Sequence, residues 1–191
     1  MHHAGVKSWS LAREEPRGTP SGSVRRDLRE IILGAQDNLI NVLATVIGVA
    51  IGSGSTKIVA LAGLASGIAE AVSMGGVLYT STSAERNLCR RGDGGAPSAA
   101  AFKDPVRAAI VTFVSASVAA AIPLAPFAVL PIRWAMLAAT VLSVAALFSL
   151  GGYTGGVTGR RWWRDGVQFV AVGSLAALAS ALVGVALKTP A

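Results

Sequence analysis

Long apolar stretches separated by short polar segments dominate the chain from residue 31 onward. Five of these stretches approach the ~20 residues that a helix needs to cross a bilayer. The predicted spans are 31–52, 57–80, 105–126, 132–152 and 166–187. Continuous runs of this length favour helices over barrel strands, in which polarity alternates over about ten residues. The pattern predicts an all-α integral membrane protein with five transmembrane helices in one domain over residues 23–188.

The segments between the spans contain turn-forming residues. Gly52–Thr56 predicts a tight turn between the first two spans, and residues 83–104 form the one sizeable predicted loop. Residues 1–22 combine proline, glycine and scattered charges without an apolar period, so we expect a disordered cytoplasmic tail. Three prolines are predicted to end the third span and lead into the fourth: Pro123, Pro126 and Pro131.

Two carboxylates lie inside the first two spans, where an ionisable group costs several kcal/mol unless it is compensated. Asp37 recurs with Asn41 and Thr45 at a spacing of four residues, which places them on one helix face. On the second span, Glu70 shares a face with Ser66 and Met74 in the same way. A rise of ~1.5 Å per residue puts Asp37 about 9 Å and Glu70 about 15 Å from the cytoplasmic ends of their spans. Both carboxylates could therefore belong to one site.

The chemistry of these side chains fits a transported cation. Carboxylate and amide oxygens suit hard divalent cations, and a thioether favours iron or manganese over magnesium and calcium. Because each carboxylate also binds protons, proton and metal occupancy would compete. The predicted metal ligands are Asp37, Glu70 and Met74. Other interpretations stay open, since Asn41 and Thr45 are also typical interhelical hydrogen-bonding residues, and Ser66 and Met74 are also typical packing residues. An Asp37 near the interface could simply reach water.

Composition supports a membrane protein. Of the 191 residues 52% are hydrophobic and 14% are charged, against about 25% charged in soluble domains. The mean hydropathy is +0.57. Cys89 is the only cysteine, which excludes an intramolecular disulfide. The chain has no nucleophile–base constellation and no room for a soluble catalytic domain, so we do not expect an enzyme.

The net charge of +7 is unevenly distributed. Fourteen of the 17 Lys and Arg residues lie in the tail, in the 83–107 region or in the last loop, and three lie on the other side. The positive-inside rule therefore predicts a cytoplasmic N-terminus and an external C-terminus. This distribution makes the basic excess a topology signal rather than a sign of nucleic-acid binding. Trp162 and Trp163 are expected as interfacial anchors of the fifth span.

Several short segments occur in the order and positions found in the vacuolar iron transporter family of divalent-metal/proton antiporters, which the chain resembles over about residues 30–188. The resemblance rests on the combination of these segments, which includes a Ser-Met element within an acid-bearing span. The matching segments are Ala35–Asn38, Leu61–Leu64, Glu70–Gly75 with Tyr79, Ser81–Arg86, Asp104–Phe113, Ile122–Pro126 and Ala146–Gly152.

The resemblance implies a homodimer in the cell membrane that moves ferrous iron or manganese out of the cytoplasm in exchange for protons. No resident cofactor is implied, because the metal is the cargo. By motif position Asp37 and Met74 would be ligands in the transport path, and Glu70 falls where many prokaryotic members carry an acid. Glu85 would lie at the cytoplasmic entrance. The residues expected to line the path are Asn38, Asn41, Thr45, Ser66 and Tyr79.

The sequence also departs from the family pattern. Asn38 stands where the family usually has glycine, and Ser66 and Leu78 stand where other members carry acids. Residues 83–104 are too few for the glutamate-rich cytoplasmic metal-binding domain of the larger relatives, so the chain resembles a short prokaryotic-type member. Two alternatives to metal export follow: a transport-inactive membrane scaffold or regulatory protein of the same fold, and a transporter of another cation or small solute.

Overall fold

The computed structural model describes residues 22–91 and 104–188. Five helices follow one another through these residues, and each is long and apolar enough to cross a membrane. This confirms the predicted all-α architecture of five transmembrane helices. The helices are α1 (Gly22–Ser53), α2 (Thr56–Arg91), α3 (Pro105–Val129), α4 (Ile132–Thr158) and α5 (Trp162–Ala186).

The first helix lies at the centre of the bundle. α1 packs against all four other helices, whereas α2 packs against α1 and α3, and α5 against α1 and α4. The main hydrophobic core accordingly forms around α1, where Val42, Leu43 and Val46 are buried against Phe127 and other residues. Outward-facing positions carry large apolar side chains, such as Leu61 and Leu182, each 71% exposed. In a bilayer these side chains face lipid.

Short connections join α1 to α2, α3 to α4 and α4 to α5. Gly54 takes a positive φ of 63° between α1 and α2, and Gly159 takes a φ of 73° after α4, a backbone conformation that glycine adopts without strain. Asp104 caps α3 by accepting a hydrogen bond from the Val106 backbone N–H at 3.1 Å. We call the end of the bundle where α1, α3 and α5 begin the basic end, because Arg29, Arg90, Arg107, Arg160 and Arg161 lie there.

The structure corrects several predicted boundaries. Pro123 and Pro126 do not end the third span; both lie buried inside α3, which continues to Val129. Proline is tolerated at such positions because neighbouring helices satisfy or cover the freed backbone groups. The predicted loop at 83–104 is also wrong in its first part, since α2 continues as a helix to Arg91.

At the basic end the helices extend beyond the predicted spans. α1 begins at Gly22, α4 continues to Thr158, and α5 already begins at Trp162. The α1 and α5 extensions contain charged residues and the α4 extension contains glycines, so hydropathy alone placed the ends too close to the apolar segment. The predicted tail at 1–22, apart from Gly22, lies outside the described residues.

Candidate functional site

Polar side chains of α1 meet polar side chains of α2 at two levels. The Asn41 Nδ2 atom donates a hydrogen bond to Glu70 Oε2 at 3.1 Å. One turn along, the hydroxyls of Thr45 and Ser66 lie 3.4 Å apart. In antiparallel helices this register continues one turn further, which brings Met74 level with Asp37. The two helices therefore place their polar faces side by side.

The two carboxylates come together at the same place. The α1 face that carries Asp37 lies against Glu70, because Asn41 one turn along α1 bonds to Glu70, and the two carboxyl groups are neighbours. Glu70 is half-buried and Asp37 is exposed on the surface of the single chain. A carboxyl group binds either a proton or a cation through the same oxygens.

Asn38 points into the bundle rather than toward the carboxylates. Its side chain is fully buried, and its Nδ2 atom donates to the backbone carbonyl oxygens of Gly67 and Ala116, each at 3.0 Å. One amide thus links α1 to both α2 and α3. Its Oδ1 atom is buried without a hydrogen-bond partner among the described residues. The sequence placed Asn38 in the path, and the contacts found here are those of a helix-linking residue.

The remaining predicted residues lie along α2. Met74 is half-buried and one turn from Glu70 on the same face. Tyr79 is 48% exposed, and Glu85 is exposed on the polar extension of the helix toward the basic end. No group of three His, Cys, Asp or Glu side chains with a metal-binding arrangement occurs in the part of the chain that the structure describes. The structure therefore gathers two acids, one amide and two hydroxyls, with Met74 beside them.

An open crevice between α1 and α5 continues the α1 polar face toward the end opposite the basic end. Its volume is about 390 Å³, and its lining includes the hydroxyl-bearing residues Thr45, Ser53 and Ser180. The two helices approach closely here, since a Cβ atom added to Gly48 would lie 2.8 Å from the Ser180 carbonyl oxygen. The sequence reasoning missed Ser180 and Gly184. The signal available was the recurrence of small residues at positions 173, 177, 180 and 184.

Comparison with known proteins identifies the family. The sequence model of the VIT family matches residues 28–93 and 89–185. The chain belongs to the VIT family. It is also 28% identical over 160 residues to an uncharacterised protein of Methanocaldococcus jannaschii, a match that covers 78% of this chain and 83% of that protein. Membership in the VIT family indicates a multi-pass membrane protein of metal-ion transport.

The first VIT-family match contains every residue proposed above for the site, from Asp37 to Glu85. The structure also accounts for two departures from the family pattern. The Ser66 hydroxyl is engaged with Thr45, and Leu78 is only 8% exposed within the helix packing. In this chain both positions therefore serve contacts between helices and add no charge to the site.

Proposed function

We propose that this VIT-family protein exports a divalent metal ion, Fe²⁺ or Mn²⁺, from the cytoplasm in exchange for protons. The observation that carries the proposal is the pairing of Asp37 and Glu70, with Asn41 bonded to Glu70, on two helices apolar enough to span a membrane. Two adjacent carboxylates at membrane depth need a compensating positive charge. Protons and a divalent cation can each supply it, and each excludes the other.

The ligand set supports a transition metal as cargo. Asp37 and Glu70 provide carboxylate oxygens, and Met74 lies level with Asp37 on the facing helix. A thioether is a poor ligand for magnesium and calcium but a suitable one for softer divalent ions. The Thr45 and Ser66 hydroxyls and the α1–α5 crevice offer a polar continuation away from the basic end. We propose that the ion moves in this direction.

The proposed orientation follows from the charge distribution. Most Lys and Arg residues belong to the segments at the basic end, so we propose that this end faces the cytoplasm and that the C-terminus is external. The proposed location is the plasma membrane. In this orientation Glu85 lies on the cytoplasmic extension of α2, where an acid would attract cations to the entrance.

We also propose a homodimer. Asp37 is exposed on the surface of a single chain, where it would face lipid at membrane depth. An exposed carboxylate in a span is costly unless protein or a water-filled cavity covers it. A second copy packed on this face would cover Asp37 and double the number of carboxylates around the path.

Metal flux into proteoliposomes tests this function. The protein is reconstituted with a metal-sensitive dye inside, a pH gradient is imposed, and Fe²⁺, Mn²⁺, Co²⁺ and Zn²⁺ are compared. We expect Asp37→Asn and Glu70→Gln to abolish flux, because each leaves a single carboxylate. Met74→Leu should lower Fe²⁺ and Co²⁺ flux more than Mn²⁺ flux, since it removes the softer ligand at similar volume.

Asp165→Asn is the matched control, because Asp165 is a buried acid at the start of α5, away from this site. It should leave flux at the wild-type level. Flux that does not respond to the pH gradient would remove proton exchange from the proposal. Absence of flux for every metal in folded wild-type protein would favour a scaffold or regulatory role instead. Leu78 and Ser66, which add no charge, are the feature that motivates that alternative.

A further inference from the structure

An apolar groove lies on the side of α1 away from Asp37. It has a volume of about 560 Å³ and is walled by α1, α3 and α4. The α1 residues that line it are Ile31, Ala35 and Leu39. At about 100° per residue they average about 160° around the helix from Asp37. The groove is therefore separate from the carboxylate site, and α1 forms a wall of both.

The lining offers a water molecule no more than one polar group, the Ser115 hydroxyl. Ser115 is the one residue with a hydroxyl among those that line the groove, and it already donates to the Thr112 carbonyl oxygen at 3.0 Å. All the other lining residues are aliphatic. A water molecule needs two to four polar partners, and an empty groove loses dispersion contacts on one side. Since all three walls are membrane-spanning helices, the available occupant is hydrocarbon from the bilayer.

Cationic side chains lie at the end of the groove nearest the basic end. One turn beyond Ile31 and Val111 stand Asp27 and Arg107, which form an ion pair between α1 and α3. The Arg107 side chain remains 58% exposed despite this contact. A guanidinium has five N–H donors, so Arg107 can bond to Asp27 and also donate to a phosphate. Arg29 and Arg161 are exposed at the same end and add to the positive charge, whereas Arg160 is paired with Asp165.

We propose that this groove is a binding site for an anionic phospholipid from the leaflet at the basic end. One acyl chain lies along Ile31, Ala35 and Leu39, and the phosphate bonds to Arg107. Positive charge at the mouth and an apolar interior match a lipid of this class rather than a neutral one. The lipid packs on the side of α1 opposite the carboxylate pair. The proposal does not depend on metal transport, because the binding itself is measured.

Lipid binding to the full-length protein tests the interior of the groove. Dioleoylphosphatidylglycerol or dioleoylphosphatidylcholine is added to the protein in detergent, and bound lipid is counted by native mass spectrometry. Ala146→Phe places a ring in the groove, whereas Ala145→Phe places it on the adjacent exposed position outside the lining. We expect Ala146→Phe to lose phosphatidylglycerol binding and Ala145→Phe to keep it. Equal binding by the two variants would overturn the proposal.

The headgroup contact is tested separately. Arg107→Gln should weaken phosphatidylglycerol binding by about fivefold, the effect of one basic side chain near an anionic lipid surface. Asp27→Asn breaks the same ion pair but frees the guanidinium, so its binding should equal or exceed that of the wild type. If Asp27→Asn weakens binding as much as Arg107→Gln, the ion pair alone matters and the lipid contact is refuted. Equal binding of the two lipids by the wild type would refute it as well.

A second groove-filling variant controls for misfolding of the first. Val118 lines the groove and is 65% exposed, so Val118→Trp enlarges a side chain that has room to move. A monodisperse elution profile and a helical circular dichroism spectrum in phosphatidylcholine nanodiscs establish that each variant is folded. Folded Val118→Trp should lose phosphatidylglycerol binding as Ala146→Phe does. Retention of binding by this folded variant would overturn the placement of the acyl chain.

Discussion

The buried amide of Asn38 gives a quantitative test of how the first three helices are held together. Asn38→Leu keeps the number and branching of the side-chain heavy atoms but removes both hydrogen bonds, to Gly67 and to Ala116. Interhelical hydrogen bonds in membranes contribute about 0.6 kcal/mol each on average and at most about 1.7 kcal/mol, so the loss lies at about 1–3 kcal/mol. Both carbonyls lie in helix interiors, where they accept backbone hydrogen bonds, so neither is left without a donor.

The unpartnered Oδ1 atom narrows this estimate. It is buried without a hydrogen-bond partner among the described residues, and Leu removes it together with the two bonds. Removal of this unpartnered atom offsets part of the free energy lost with the two hydrogen bonds. The expected destabilisation of Asn38→Leu is therefore about 1 kcal/mol. Asn38→Asp should be more destabilising than Asn38→Leu. It replaces the donor nitrogen with an oxygen that faces two carbonyl oxygens, and at most one of its oxygens can carry a proton.

Equilibrium unfolding in mixed dodecyl sulfate and maltoside micelles, followed by circular dichroism, measures both variants against the wild type. The expected order of stability is wild type, then Asn38→Leu, then Asn38→Asp. An Asp variant as stable as the wild type would show that the amide donates to neither carbonyl. A Leu variant that loses more than about 4 kcal/mol would exceed what two such bonds provide and would refute the reasoning from hydrogen bonds.

Two further predictions concern helix packing and assembly. Gly184→Leu should lower the thermal unfolding midpoint, because its Cβ atom would overlap the Gly48 carbonyl oxygen. The control Val183→Leu changes an exposed position and should leave the midpoint unchanged. Equal midpoints for the two variants would contradict the close crossing of α1 and α5. If two copies share one transport path, a dimer purified through two different tags with Asp37→Asn in one copy should lose nearly all flux. Retention of half the wild-type flux would instead indicate a separate path in each copy.

Hydropathy was sufficient to predict the number and order of the helices but not their ends. The criterion detects the apolar segment, and a helix can continue past it with polar residues, as α2 does through Glu85 to Arg91. α4 differs because its last turns are rich in glycine, which in a sequence is typical of a loop. Two of its glycines are required by close packing, since a Cβ atom on Gly151 would lie 2.6 Å from the Asp165 carbonyl oxygen and one on Gly155 would lie 2.9 Å from the Trp162 Cα atom. Such proximity depends on a second helix, and the four-residue spacing of these two glycines does not show which helix that is.

The sequence predicts those parts of the site that follow from the spacing of residues along one helix and from their depth in the membrane. The spacing of Asp37, Asn41 and Thr45 and the depth of Glu70 placed these side chains near one another, and the contacts of Asn41 and Thr45 with α2 confirm that proximity. Asn38 is different, because it is adjacent in sequence to Asp37 but lies about 100° around the helix. Which of its neighbours it contacts depends on the position of α3, and the sequence of α1 contains no information about that.

The number of carboxylates links the proposed cargo to the proposed assembly. A divalent ion that leaves water in a membrane needs several oxygen ligands and enough negative charge to offset dehydration. Within the described residues one chain brings only Asp37 and Glu70 together, and Asn41 is already bonded to Glu70. Asp37 is at the same time exposed on the outer surface of α1. A second copy on that surface would supply the missing ligands and remove the exposure, so the proposed metal transport and the proposed dimer would depend on the same face of α1.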